Sequence, residues 1–191
     1  MIIAIEGIDK AGKYTQAKML HNILKVCDYH STMISFPDYS VESGKEIKNY
    51  LNGKRDLPPE AVHLLFAINM YAHVDRIRKA SKGVVILNRY YHSNKIYGEA
   101  NGLSKGLVES LDFGLPKPDM TILLDIPSGE SFKRKIMGRD TFEKNQYFLQ
   151  KIRFMYKDAA KRNGWKVYDA TLPKDTIHKK IFKDVMVALH G

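Results

Sequence analysis

The chain has 191 residues, 44% hydrophobic and 27% charged, which suits one globular domain spanning 1–191 and excludes a stapled mini-protein. Its single cysteine, Cys27, excludes an internal disulfide and a cysteine-built metal cluster, and reads as a small apolar residue on a helix. The formal net charge of +10 admits polyanionic partners. The lysines are dispersed, with no aromatic-interleaved basic block, so a small polyanion is expected more than nucleic acid.

In chain order, Met1 to Glu6 reads as a short buried strand, and the glycine-bounded run after Glu6 as a loop. The run is too short and lacks the basic leader of a signal peptide, so neither leader nor membrane span is expected and a cytoplasmic location follows. Helical periodicity begins at Gln16, with Ala17, Leu20, Leu24 and Cys27 on one face. A helix starting after such a loop points unpaired N–H groups and the positive end of its dipole at whatever the loop encloses, and a phosphate fits there. Gly7 and Gly12 stand at the spacing of G-x-x-x-x-G-K, so the loop Gly7, Ile8, Asp9, Lys10, Ala11 and Gly12 is expected to cradle phosphates, with Lys13 reaching the outer ones. The pattern wants Ser or Thr next, to hold Mg²⁺. Here Tyr14 follows, and Thr15 comes one place late.

His30 to Phe36 reads as a second strand stopped by Pro37, and Val41 to Leu51 as a helix closed by Asn52-Gly53. Leu57-Pro58-Pro59-Glu60 opens a helix expected to run from Ala61 to about Ala80, the longest in the chain. Val84 to Leu87 is apolar throughout, as a strand covered on both faces should be. Asn88-Arg89-Tyr90-Tyr91-His92-Ser93 follows at its carboxyl end, where open α/β sheets collect ligands. Two shorter helices are expected between Ser93 and Asp112, a buried strand over Met120–Ile126 and a helix over Ser128–Met137. Beyond a polar break at Gly138–Asn145 come a helix over Gln146–Arg162, a last strand at Val167-Tyr168 and a last helix over Lys174–Leu189. The alternation argues for a parallel sheet of about five strands wrapped by helices on both faces.

These segments together resemble the thymidylate kinases, almost end to end. IEGIDKAGKYTQ is similar to their phosphate loop, FPDYS and SGKEIKNYL to their second strand and following helix, and HLLFAINMYAHV to their nucleobase helix. NRYYHSNKIYG resembles their Asp-Arg-Tyr box, GLPKPDMTILLD their fourth strand, and GRDTFE their mobile lid, here about 133–145. The resemblance implies a P-loop NTPase-like α/β fold, ATP and Mg²⁺ as cofactors, and dTMP as acceptor of the γ-phosphoryl group. It also implies a homodimer packed through its long helices, which Leu64, Leu65 and Ile68 allow. The acceptor phosphate is already anionic, its second pKa being about 6, so charge repulsion rather than proton removal is the obstacle.

By the same resemblance, Lys13, Arg89, Asp9, Arg134 and Arg139 form the catalytic set, with Asp9 a ligand of the sugar 3′-hydroxyl. Arg134 and Arg139 also fit an ordinary solvated charge run. Phe66 would stack on the pyrimidine, Tyr97 pack against the deoxyribose, Ser93 support the base edge, and Phe142 with Glu143 close from the lid. Phe66 and Met70 equally fit plain core spacing. Phe36, Tyr39 and Met70 complete the expected acceptor site, and Glu6 and Asn88 are the candidates for holding a metal through water.

Four positions depart from the family pattern: Tyr14 for the loop hydroxyl, Asn88 for the box Asp, Tyr39 for an acceptor-phosphate arginine and Met70 for a base-reading arginine. A charge-assisted hydrogen bond is worth about 1.5–3 kcal/mol. Two outcomes fit: a divergent working kinase in which Lys48, Arg76 or Arg78 take over lost contacts, or a nucleotide-binding paralogue with shifted substrate or weak catalysis. A basic nucleic-acid-binding protein is the reading from another class.

Overall fold

The structure, a computed structural model, describes residues 1–134, 140–142 and 145–191. Among them, β1 (Ile2–Glu6), β2 (Ser31–Ser35), β3 (Val84–Asn88), β4 (Met120–Asp125) and β5 (Lys166–Asp169) form one parallel sheet in the order β2-β3-β1-β4-β5. Their helices are α1 (Lys13–Val26), α2 (Glu42–Leu51), α3 (Pro59–Tyr71), α4 (Val74–Ala80), α5 (Tyr91–Ala100), α6 (Lys105–Ser110), α7 (Ser128–Lys133), α8 (Gln146–Asn163) and α9 (Lys174–His190). None is long and apolar enough to cross a membrane among the described residues.

Alternate side chains of the central strands face opposite helical layers, which is why these strands are apolar at every position. Ile3, Ile5 and Ile86 join the core that includes Leu20 and Leu24 of α1 and Ile177 and Ile181 of α9. Ile2, Ala4, Val85 and Leu87 join Met70, Ile77 and Leu115 in a second cluster. From neighbouring strands β1 and β3 the chain leaves in opposite directions, to β2 on one side and β4 on the other. Such a reversal opens a crevice at the carboxyl ends of the strands. Ile5 pairs with Asn88 and Glu6 with Leu123, so the loops after β1, β3 and β4 leave the sheet side by side.

The structure moves several expected boundaries. Helix α1 starts at Lys13, three residues before the apolar periodicity, because Gly12 turns the chain at φ 91° and Gln16 N–H already donates to its carbonyl at 3.0 Å. The long helix expected from Ala61 to Ala80 is broken: α3 ends at Tyr71, and His73 sits at φ −110° before α4 begins. No glycine or proline marks that break. His73 N–H instead tightens onto the Met70 carbonyl at 3.0 Å, while its ring lies 3.1 Å from Asp38 and edge-on to Phe36. The longest described helix is therefore α8, with 18 residues. The second strand begins at Ser31 rather than His30, α5 begins at Tyr91, and Cys27 is an exposed C-cap. Helix α7 ends at Lys133, and the expected continuation over 135–137 lies outside the described residues.

Gly44 shows how tightly α2 is seated, since a Cβ there would collide with the Asp38 carbonyl oxygen and lie 2.8 Å from Tyr39 Cα. Gly44→Ala is expected to lower stability by about 1–3 kcal/mol, the usual cost of overpacking. Urea unfolding monitored by circular dichroism reads the loss, and an unchanged midpoint would contradict the packing described.

Candidate active site

The loop between β1 and α1 takes its shape from three residues at positive φ: Gly7 at 141°, Lys10 at 60° and Gly12 at 91°. Gly7 is required twice over, because a Cβ would also stand 2.5 Å from the Leu124 carbonyl oxygen at the end of β4. Ile8 and Ala11 of the loop are buried, and the loop amides with the first turn of α1 are the groups such a loop offers an anion. Lys13 is buried with its Nζ donating to the Ile8 carbonyl at 2.7 Å. Burial, then the Arg89 charge, lowers its pKa to about 7 against the opposing pull of Asp9 and Glu6. Tyr14 and Thr15, the expected loop partners, both point to solvent.

Beneath the loop lies Glu6, fully buried. Its Oε1 accepts from Tyr90 N–H at 2.9 Å, and its Oε2 from Ser93 Oγ at 2.6 Å and Tyr156 OH at 3.1 Å. Burial raises the Glu6 pKa, opposed by those hydrogen bonds and by Arg89 and Lys13. Those contacts leave this carboxylate little capacity for a metal-bound water. Ser93, expected at the base edge, has its hydroxyl committed to Glu6, Tyr156 and Arg89.

Arg89 follows β3 at φ 62°, a left-handed conformation that costs a non-glycine residue of order 1–3 kcal/mol. Its N–H donates to Ile5 at 3.0 Å and the next amide is held by Glu6, so the strain is fixed by two tethers. The guanidinium then reaches across to the phosphate loop, donating to the Gly7 carbonyl at 3.1 Å and pairing with Asp9. Tyr97 OH donates to the other Asp9 oxygen at 3.1 Å. Burial pushes the Asp9 carboxyl up, but the Arg89 and Lys13 charges and the two hydrogen bonds outweigh it and hold the pKa at about 2. Glu6, Asp9, Lys13 and Arg89 thus place two acids against two bases on the floor of the crevice.

A cavity opens from Arg89 and Asp9 between β2, α3 and α5, with Phe36, Phe66, Met70, Tyr97 and Phe142 among its walls. The expected acceptor residues Tyr39, Arg89 and Ser93 line it as well. Phe142 stacks on Phe148 and meets Tyr97 edge-on, and neighbouring Thr141 hooks onto the Leu51 carbonyl at 3.0 Å, closing this side over α2. Met70 lines the cavity and is also buried in the second core cluster.

Arg134 does not join Arg89. It spans the outer side of the phosphate loop, donating to the Lys10 carbonyl at 3.1 Å and to Ala170 after β5 at 3.0 Å, beside Ser131, which donates to the Asp9 carbonyl. Arg139 and Glu143 lie outside the described residues. Asn88 donates to Ser35 at 3.2 Å and leaves its buried Oδ1 without a partner.

Sequence reasoning missed Tyr156, Asn69 and the His63–Asn94 pair. Asn69 clamps the loop after β2, exchanging hydrogen bonds with both backbone groups of Asp38. His63 and Asn94 bond at 2.6 Å on the cavity wall. Lone polar residues inside the apolar run of α3 were the available signal for His63 and Asn69. Tyr156, at core spacing with Leu149 and Ile152, gave none.

A parallel α/β sheet with a phosphate loop after its first strand and a buried arginine reaching that loop defines a P-loop phosphotransferase. The comparisons agree. A family profile described as thymidylate kinase matches residues 5–181. Human thymidylate kinase is 32% identical over 186 residues, covering 94% of this chain and 87% of that protein. That of Plasmodium falciparum (isolate 3D7) is 33% identical over 186 residues, covering 96% and 88%. The solved thymidylate kinase of Candida albicans, described for its broad substrate specificity, superposes with a TM-score of 0.84 at 29% identity, covering 98% of this chain and 91% of its own. The chain belongs to the thymidylate kinase family.

Because folding lowers the Asp9 pKa from an ordinary 3.8 to about 2, its contribution is present above the ordinary value and lost as pH falls through the folded one. The difference is worth about 2 kcal/mol. Stability measured by denaturant unfolding from about pH 5 to about pH 2 should fall less steeply in Asp9→Asn than in the wild type. Equal slopes would contradict the ion pair's assigned role.

Proposed function

We propose that the chain transfers the γ-phosphoryl group of ATP to the 5′-phosphate of dTMP, giving dTDP. One observation carries this reading: the Arg89 guanidinium stands between the phosphate loop and the aromatic cavity, touching Gly7 and Asp9 on one side and lining the cavity on the other. Two anions meeting there are each within reach of a cation, with the loop amides and α1 N-terminus behind the donor and a planar two-pronged group between them. Two unit charges about 4 Å apart cost roughly 4 kcal/mol at an effective dielectric of 20, so bringing them together is most of the task.

The donor triphosphate would lie on residues 7–15, with Lys13 released from Ile8 to its outer phosphates and Arg134 on its far side. The acceptor base would enter against Phe66, with Tyr97 beside the sugar and Phe142 closing over it. Tyr97 OH is committed to Asp9, so ring and carboxylate hold one another in place where a 3′-hydroxyl would arrive. The convergence of Lys13, Asp9 and Arg89 favours the working kinase over a silent paralogue.

Magnesium accompanies ATP in such kinases, but the described side chains do not build it an inner-sphere site. No group of three metal-ligating side chains occurs among them, Glu6 already accepts three hydrogen bonds, Asn88 is neutral and Tyr14 replaces the loop hydroxyl. The ion would be carried by the nucleotide's own oxygens and water.

A homodimer is part of the same reading. Leu64, Ile68 and Tyr71 follow one another at helical spacing on α3 and are 46%, 54% and 41% exposed. A cytoplasmic location accords with an unpaired Cys27. Sedimentation should find a dimer that Ile68→Glu shifts toward monomer, and a monomeric wild type would contradict this.

A coupled assay with ATP, magnesium and dTMP tests the activity. Lys13→Ala and Arg89→Lys are each expected to lower kcat at least a hundredfold, the loss of about 2.7 kcal/mol or more of charge stabilisation. Unchanged turnover in both would refute the assignment. With burial and the Arg89 charge lowering the Lys13 pKa to about 7, binding of ATP should draw in a fraction of a proton, seen by calorimetry in buffers of different ionisation enthalpy. Lys13→Ala should abolish that uptake.

A further inference from the structure

The floor of the crevice is electrostatically spent before a substrate arrives. Arg89 is tied to Asp9, the Gly7 carbonyl and Ser93, and Lys13 is turned back onto Ile8 beside Glu6. A phosphate monoester entering the cavity brings a charge of about −1.5 to −2 at neutral pH, and Asp9 repels it. Arg89 can meet it only by giving up one of these partners, so net attraction calls for a further counter-charge outside this group.

Three cations outside this group were candidates. Arg78 pairs with Asp75 and donates to the Gly114 carbonyl at 3.3 Å, so it is held elsewhere. Arg76 acts on the Asp38 carboxylate and is engaged there. Lys48 differs from both. It is exposed on α2, and its Nζ stands 5.9 Å from the centre of the Tyr39 ring, which itself lines the cavity. The acids of the same helix are engaged by others, Glu42 by Lys45 and Glu46 by Arg55. No acidic partner of Lys48 occurs among the described residues. An ammonium parked over an aromatic face is held weakly and keeps its charge and its flexible stem.

Resting on the acceptor reading above, we infer that Lys48 is the counter-charge for the acceptor's phosphate, kept at the cavity mouth by the face of Tyr39. Tyr39 is thereby a positioning residue. The lysine exchanges a ring face for a phosphate oxygen when the acceptor enters, so the contact depends on the phosphate and not on the nucleoside.

Equilibrium binding of dTMP and of thymidine to the full chain, with ATP binding as control, separates the possibilities. Lys48→Ala should weaken dTMP on the order of tenfold, as loss of a charged hydrogen-bond partner does, and leave thymidine and ATP unaffected. Lys48→Arg should retain dTMP affinity, and Tyr39→Leu should lose part of the dTMP affinity alone. Undiminished dTMP binding by Lys48→Ala overturns the inference, as does an equal loss of dTMP and thymidine, which would mark a structural role. A wild type that binds neither nucleoside nor nucleotide would overturn the acceptor reading itself, and this inference with it.

Discussion

Everything in the site is referred to one buried carboxylate. Glu6 ends β1 at the centre of the sheet, wholly shielded from water, and accepts hydrogen bonds from the turn after β3, from α5 and from α8. A buried charge of this kind is tolerated only when its lone pairs are filled and opposite charges lie near. Arg89 and Lys13 provide the second condition. The carboxylate thereby works as a registration pin: it fixes the amide after Arg89, which keeps that residue in a conformation it would otherwise abandon. Without the pin the guanidinium would not be aimed at the loop.

Aiming the arginine creates a second constraint. In the resting molecule Arg89 and Asp9 satisfy one another, and Tyr97 is drawn into the pair through its hydroxyl. The arrangement is rigid, preorganised and nearly neutral, which suits a site that must hold cations in low dielectric without water. On the proposed function it also means that binding is exchange: each phosphate oxygen that reached Arg89 would displace a partner already there. Net attraction for a dianion then depends on charges at the margin and on loop amides, which carry no compensating acid.

Much of this order was readable before any coordinates. Five apolar runs separated by helical periods foretold the parallel sheet, and Gly7, Gly12 and Lys13 foretold the loop, because hydrophobic period and glycine spacing are local properties. The family resemblance, carried by six motifs in sequence, was met by the profile and by relatives about one-third identical. What escaped was non-local. At the Ala72-His73 break no helix-breaking residue stands, and the His73 ring meets Asp38 and Phe36 from across the fold. The first turn of α1 carries no buried apolar residue to extend the period, its Tyr14 being exposed. Tyr156 buries a ring at core spacing and differs from a core aromatic only in what its hydroxyl meets 150 positions away. Ser93 was placed near the base by resemblance, yet its hydroxyl is used three times over by charged and phenolic neighbours.

The same commitments bear on the cavity that Phe66 and Phe142 enclose. Its polar walls are largely occupied: Ser93 by Glu6, Asn69 by Asp38 and Ser43, and Asn94 by His63. Met70 adds a flexible apolar side chain where an edge-reading donor would be most selective. A site built to hydrogen-bond its substrate rejects a misfit strongly because its own donors are left bare, whereas an apolar wall separates ligands differing by one methylene by only about 1–3 kcal/mol. On the proposed function, discrimination between pyrimidines therefore rests on ring stacking and fit. The phosphate, met by Arg89 and the rim, supplies the contacts that every acceptor shares.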